Sequence, residues 1–192
     1  MVTSPIRRKK DIEKLKAYYV ENERYRDYVL FVLGINTALR ISDLLRLKWK
    51  DVYDFSHGVY RRHLEIVEQK TQKRNIIAIN SSCIDALKLL QKHDKKIFEA
   101  EAFIFCRSGN PYAHISRNRA YHIIKDVAVE NHIDGNISCH SLRKTFGYHA
   151  WKKGTPGVLI MNVYNHSNME ITKRYLSIYQ DDKDELFDAM NL

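Results

Sequence analysis

Six residues of this sequence have side chains whose types and spacing suit one chemistry, the attack of an oxygen nucleophile on a phosphodiester. In Ser138-Cys-His-Ser-Leu-Arg-Lys-Thr-Phe, Ser138 reads as a helix cap, which places His140 and Arg143 three apart on one face of the first turns. A helix N-terminus already favours an anion, and a phosphate is the obvious one. In Asn165-His-Ser-Asn-Met-Glu-Ile-Thr-Lys-Arg-Tyr-Leu, Ser167 and Glu170 have the spacing of a capping box. His166 then precedes the cap, and Tyr175 lies about two turns into the helix beside Lys173 and Arg174. Arg40, in Thr37-Ala-Leu-Arg-Ile-Ser-Asp-Leu-Leu, stands just ahead of a helix that Ser42 would cap and whose dipole Asp43 would complement. Lys70 sits in the polar turn Gln69-Lys-Thr-Gln-Lys-Arg74. Taken singly, each has an ordinary reading: a surface pair, a core tyrosine, a loop arginine, a hairpin lysine.

The elements that must position these groups follow from periodicity. Residues 8–21 form an amphipathic helix with Ile12, Leu15 and Tyr19 at helical spacing, and 25–36 a mostly buried one. The period then changes. His63-Leu-Glu-Ile-Val-Glu and Asn75-Ile-Ile-Ala-Ile read as two strands joined by the turn, with Asp51-Val-Tyr-Asp as a short third strand. Helices return over about 81–100, 115–131, 138–153, 156–162 and 168–180, with a last piece at 182–190. The expected fold is mainly α with a small three-stranded antiparallel β-sheet. One catalytic domain over 1–192 is expected, with a lead-in helix within 1–22 and an acidic tail at 181–192.

The order Arg40, Lys70, His140-x-x-Arg143, His166, Tyr175, carried by TALRISDLLRLKW, EQKTQKRNIIAI, CHSLRKTF and NHSNMEITKRYL, resembles the tyrosine recombinase (phage-type integrase) family. The resemblance spans roughly Arg24 to Tyr179. It implies a tyrosine recombinase catalytic-domain fold and a site-specific recombinase or integrase that cleaves and rejoins DNA through a 3′-phosphotyrosyl intermediate. The residue chemistry agrees. Tyr175 would be the nucleophile, and Arg40 with Arg143 would clamp the phosphate, since planar guanidinium forks suit its oxygens. His140 would take and return the proton near the tyrosine, His166 would hold a non-bridging oxygen, and Lys70 would protonate the leaving 5′ oxygen. No metal, ATP or other cofactor is expected.

The sequence departs from the family in two places. Asn165 stands where a glycine usually precedes the second histidine, although Asn also tolerates a left-handed turn. Most members carry a separate helical core-binding domain ahead of the catalytic pattern. The few residues before Arg24 make this chain similar instead to the short recombinases that invert fimbrial promoters, with truncation of a longer chain as the alternative.

Composition points the same way. Apolar residues make up 44% and charged residues 29% of the 192, enough for a core and a wetted surface. Residues 181–192 hold five acids and one lysine, so 1–180 carry thirty-one basic against eighteen acidic residues, a body of +13 suited to double-stranded DNA. The apolar run Tyr28–Ile35 has eight residues, far short of the ~20 that cross a bilayer. No apolar segment follows the charged start MVTSPIRRKK, so no secretion signal is expected and a cytoplasmic location is. Three widely spaced cysteines argue for reduced thiols. The expected assembly is a monomer in solution and a homotetramer on DNA. A catalytically inactive DNA-binding relative and a type IB-like topoisomerase are the alternatives. A metal-dependent nuclease is more distant, because the nine histidines lack ligand spacing.

Overall fold

Helix α2 (Tyr25–Thr37) runs through the centre of the molecule because its sequence, YRDYVLFVLGINT, has almost no polar face beyond Asp27. Val29, Leu30, Phe31, Val32 and Leu33 are all buried. The computed structural model describes residues 2–176 and 187–190. Around α2 pack α1 (Lys9–Glu21), α5 (Ser81–His93) and α7 (Cys139–Lys152). Ile12, Leu15 and Tyr19 of α1 are buried, as their spacing predicts, and Tyr19 donates its hydroxyl to the Ile123 carbonyl at 2.9 Å.

The contact between α2 and α7 depends on Gly34. A Cβ built there would meet Leu142 Cδ1 at 2.5 Å, so the two helices pack closer than any other residue allows. Helix α7 opens with the expected cap at Ser138, completed by Ser141, whose hydroxyl accepts from Ser138 N at 3.0 Å. The N-terminal strap braces its far side. Thr145 Oγ1 accepts from Ile6 N at 2.8 Å, and Lys144 Nζ donates to the Thr3 carbonyl at 2.7 Å.

The small sheets differ from expectation. Instead of one three-stranded sheet, the described residues form three two-stranded ones: β1 (Tyr53–Asp54) with β2 (Val59–Tyr60), β3 (His63–Val67) with β4 (Arg74–Ala78), and β5 (Cys106–Arg107) with β6 (Asn110–His114). The residues read as a third strand divide. Asp51 and Val52 belong to a helical turn, α4 (Trp49–Val52), because Asp51 Oδ2 accepts from Lys48 N at 2.8 Å while Trp49 and Val52 are buried. Tyr53 and Asp54 then pair with β2 through a turn that Asp54 closes by accepting from Ser56 N. The hairpin carrying Lys70 forms as expected, in register from His63 opposite Ala78 to Val67 opposite Arg74.

Two helix starts or ends also shift. Helix α3 (Ile41–Leu44) begins at Ile41 with Arg40 in the N-cap position, so Ser42 lies inside it and does not cap. Helix α5 stops at His93, and residues Lys95–Ile97 form a separate 3-10 turn. Phe98 after it is drawn edge-on to Trp49, with ring centroids 5.0 Å apart. Helices α6 (Arg117–Glu130), α8 (Gly157–Val163) and α9 (Met169–Leu176) complete the described fold. Of the acidic tail only 187–190 is described, a helical turn with Phe187 and Met190 exposed. Cys83 and Cys106 are buried and Cys139 partly so, all three as free thiols.

Gly34→Ala should destabilise the fold by about 1–3 kcal/mol, since an added methyl must displace Leu142 in a filled helix contact. Urea denaturation with an unchanged slope is the check, and an unchanged midpoint would show that α7 can move away freely.

Candidate active site

The site is built around Arg143, the fifth residue of α7, whose side chain passes into the interior. Its Nη1 donates to the carbonyl of Ala38 and its Nη2 to that of Tyr164, the latter at 2.9 Å. Ala38 ends α2 in the left-handed conformation, φ 56°, and Tyr164 follows α8. Tyr164 closes the loop by donating its hydroxyl to the Arg143 carbonyl at 2.7 Å, and its ring lies 4.6 Å under the guanidinium. No carboxylate forms an ion pair with Arg143 among the described residues.

Tyr175, two turns into α9, packs on this cluster. Its ring centroid lies 5.2 Å from that of Tyr164 and 5.3 Å from that of His166, and Arg143 stands 6.0 Å away. Its hydroxyl is 3.5 Å from His140 Nδ1, the outer limit of a hydrogen bond. Burial pushes the phenol above its ordinary pKa, and Arg143 and Arg40 pull it back only in part. Five of the six expected residues are thus brought together: Arg40, His140, Arg143, His166 and Tyr175. Lys70 is exposed in the hairpin turn and makes no hydrogen bond or ion pair with them among the described residues, although its charge contributes to the field at His140.

Residues 7–181 match the phage integrase family. The chain belongs to that family. It is 37% identical over 182 residues to the probable integrase/recombinase YoeC of Bacillus subtilis, covering 94% of this chain and 92% of that protein. It is 27% identical to a tyrosine recombinase of Pseudothermotoga lettingae over 94% of this chain, but only 58% of that protein. Its fold is similar to that of the XerH site-specific recombinase bound to palindromic difH substrate in a post-cleavage complex. There the TM-score is 0.75 and the identity 17%, over 97% of this chain and 53% of that one. The chain therefore spans little more than half the length of these last two.

Among the described residues the electrostatics of this cluster are strongly cationic with one exception. His140 has its pKa lowered by loss of hydration and then by Arg143, Lys144, Arg40 and Lys70. His166 is lowered further, to about 4, by burial and by the same two arginines. Its Nδ1 lies 3.0 Å from the hydroxyl of Thr172, which is fully buried. The exception is Glu68. It is 1% exposed, it pairs with Arg40, and it takes further hydrogen bonds from Thr71, Asn75 and Asn165. Burial works to raise its pKa, but the donors Thr71, Arg40 and Asn165 outweigh that and hold the carboxyl below its ordinary value.

Sequence reasoning misses Glu68, Tyr164 and Thr172. For Glu68 a signal exists. The alternation in β3 turns Leu64 and Ile66 inward, and Glu68 continues that face while Val67 points out at 60% exposure. An acid on the apolar face of a strand needs a buried partner. The capping expectation also shifts by one residue: Asn168, not Ser167, precedes α9, and its Oδ1 accepts from Ile171 N at 3.0 Å. No group of three or more potential metal ligands occurs among the described residues.

His166 should titrate near pH 4 in the folded protein, as read from its imidazole NMR shifts. The sign of the linkage follows. Between about pH 6.5 and 4 the unfolded chain binds a proton that the folded chain refuses, so this contribution to stability is complete above 6.5 and lost as pH falls towards 4. His166→Gln should flatten that part of the stability profile. A His166 titration near 6.5 would refute the burial argument.

Proposed function

We propose that this chain is a site-specific DNA recombinase that cleaves and rejoins double-stranded DNA through a covalent bond to Tyr175. The observation that carries this reading is the meeting of the Tyr175 hydroxyl with His140 Nδ1, beside a buried arginine that no described carboxylate neutralises. A phenol with a raised pKa is neutral at pH 7, so attack requires a proton acceptor. His140, its pKa lowered, is neutral and aimed at that proton. Tyr175 Oη then forms a bond to phosphorus as the bond from phosphorus to the 5′ oxygen breaks.

The remaining roles follow from placement. Arg40 and Arg143 bind the non-bridging oxygens and stabilise the charge that builds on them. His166, neutral and with its Nδ1 beside the Thr172 hydroxyl, turns its Nε2 edge to one such oxygen. Lys70, exposed on its hairpin, supplies the proton to the departing 5′ oxygen once its side chain reaches bound DNA. The phosphotyrosine is close in energy to the diester it replaces, so the reverse step regenerates DNA without ATP. The arginines carry the charge that a metal would otherwise carry. The basic body supports duplex DNA as the substrate, and the XerH neighbour in its post-cleavage complex is consistent with that. The reading places the protein in the bacterial cytoplasm, where that DNA lies. No described helix is long and apolar enough to cross a membrane.

Assembly on DNA is part of the same proposal. Val158 and Leu159 expose apolar side chains on α8, and Ile171 exposes one on α9, the helix that carries Tyr175. Phe187 and Met190 expose apolar surface in the tail, whose five acids disfavour contact with phosphates. A monomer in solution that becomes a tetramer on its site, joined by the tail, accounts for both.

On a nicked suicide duplex the wild type should form an SDS-stable adduct, with or without EDTA, and Tyr175→Phe should form none. Tyr179→Phe, which lies outside the described residues, should retain it. Arg40→Ala and Arg143→Ala should bind DNA yet cleave about 10²–10³-fold more slowly. An adduct on another tyrosine, or its loss with EDTA, would refute the assignment. Removing residues 182–192 should leave monomer binding intact and abolish the tetrameric complex in sedimentation. A full tetramer with normal recombination would exclude the tail.

A further inference from the structure

A buried carboxylate next to a phosphate clamp is electrostatically costly, because it opposes the anion the clamp must bind. Glu68 is such a group, and its surroundings show what offsets the cost. Each carboxylate oxygen takes two donors. Oε2 accepts from Arg40 Nη1 and from Thr71 Oγ1 at 2.8 Å, and Oε1 accepts from Asn165 Nδ2 at 2.9 Å and Asn75 Nδ2 at 3.1 Å. A buried charge without this set of partners would be strongly destabilising.

Those donors come from the segments that hold the site. Arg40 is the N-cap residue of α3. Thr71 follows Lys70, and the turn around them closes on the same residue, with Glu68 N donating to Lys73 O at 3.0 Å and Gln72 N donating to Glu68 O at 2.8 Å. Asn165 precedes His166 and adopts a left-handed φ of 52°. A glycine would adopt that φ more easily but has no side chain to reach Glu68. The asparagine at this position therefore has a reason in this chain: it satisfies the turn and ties it to the carboxylate.

We propose that Glu68 is a positioning residue, which through Arg40, Thr71 and Asn165 sets the arginine clamp, the Lys70 turn and the His166 turn in one arrangement before DNA binds. The inference rests on the strand-cleavage reading above. A planar guanidinium held on one edge loses little freedom when its remaining N–H groups meet phosphate, and preorganisation of this kind acts on the chemical step more than on binding.

The test is single-turnover cleavage of the nicked suicide duplex at saturating protein, with DNA affinity measured separately. Glu68→Ala should slow cleavage about 10²-fold while affinity stays equal or rises, since a negative charge has been removed beside the site. Glu68→Gln preserves volume and a neutral acceptor and should slow cleavage about 10-fold, which keeps the test valid if the alanine variant does not fold. Asn165→Gly retains the left-handed turn without the tie. It should slow wild-type cleavage but leave the rate of Glu68→Gln nearly unchanged. Because the carboxylate acts in part through the arginine, Arg40→Ala combined with Glu68→Gln should lose less than the product of the two single losses. Multiplying losses in either pair, or a Glu68→Gln variant that cleaves as fast as a cleaving wild type, would overturn the inference alone. A wild type that forms no adduct at Tyr175 would overturn the strand-cleavage reading, and the inference with it.

Discussion

The guanidinium of Arg143 is buried against the carbonyl oxygens of Ala38 and Tyr164, and the rest of the site is arranged around that contact. Three helices end or begin there. Helix α2 turns left-handed at Ala38 to present its carbonyl, α8 ends so that Tyr164 can present another, and α7 delivers the arginine. An arginine keeps its charge even when buried, so its hydrogen bonds must be supplied by the protein. Backbone carbonyls meet that need without cancelling the charge. A carboxylate partner would have stabilised the arginine more and left less positive potential for an anion.

The same positive potential governs the titratable groups around it. His140 and His166 both lose their protons more readily than free imidazole, and the Tyr175 phenol is held neutral by its own burial. Desolvation and the arginines together favour the neutral form of both imidazoles. Glu68 is the counterweight. It offsets part of the charge of Arg40 while leaving Arg143, deeper and unpaired with any described carboxylate, as the stronger source of field.

Family membership places these features in a frame without explaining them all. The Asn165 turn and its link to Glu68 show how a departure from the usual glycine is absorbed: asparagine accepts the left-handed backbone, and its amide satisfies a buried carboxylate. Lys70 stands apart from the other five residues on an exposed turn, while β3 and β4 behind it are in register. The arginines are held by hydrogen bonds to carbonyls and to Glu68, whereas the lysine is exposed.

Much of this was determined by the sequence alone. The alternating pattern of Leu64, Ile66 and Glu68, the helical spacing of Ile12, Leu15 and Tyr19, and the Ser138 cap are local signals that depend on backbone geometry and amphipathicity. The set Arg40, Lys70, His140, Arg143, His166 and Tyr175 could be read as one candidate site because its order is distinctive, although each residue taken singly is ordinary. Tertiary structure alone decided the rest. The third strand went to a hairpin of its own because Asp51 capped a helical turn and Asp54 closed a tight one. Arg40 takes the N-cap position of α3 against the local preference for Ser42, and Asn168 takes that of α9 in place of the equally suited Ser167. The pairing of Glu68 with Arg40 and Asn165, twenty-eight and ninety-seven residues away, exists only once the helices have packed, because a buried charge selects its partners in space and not along the chain.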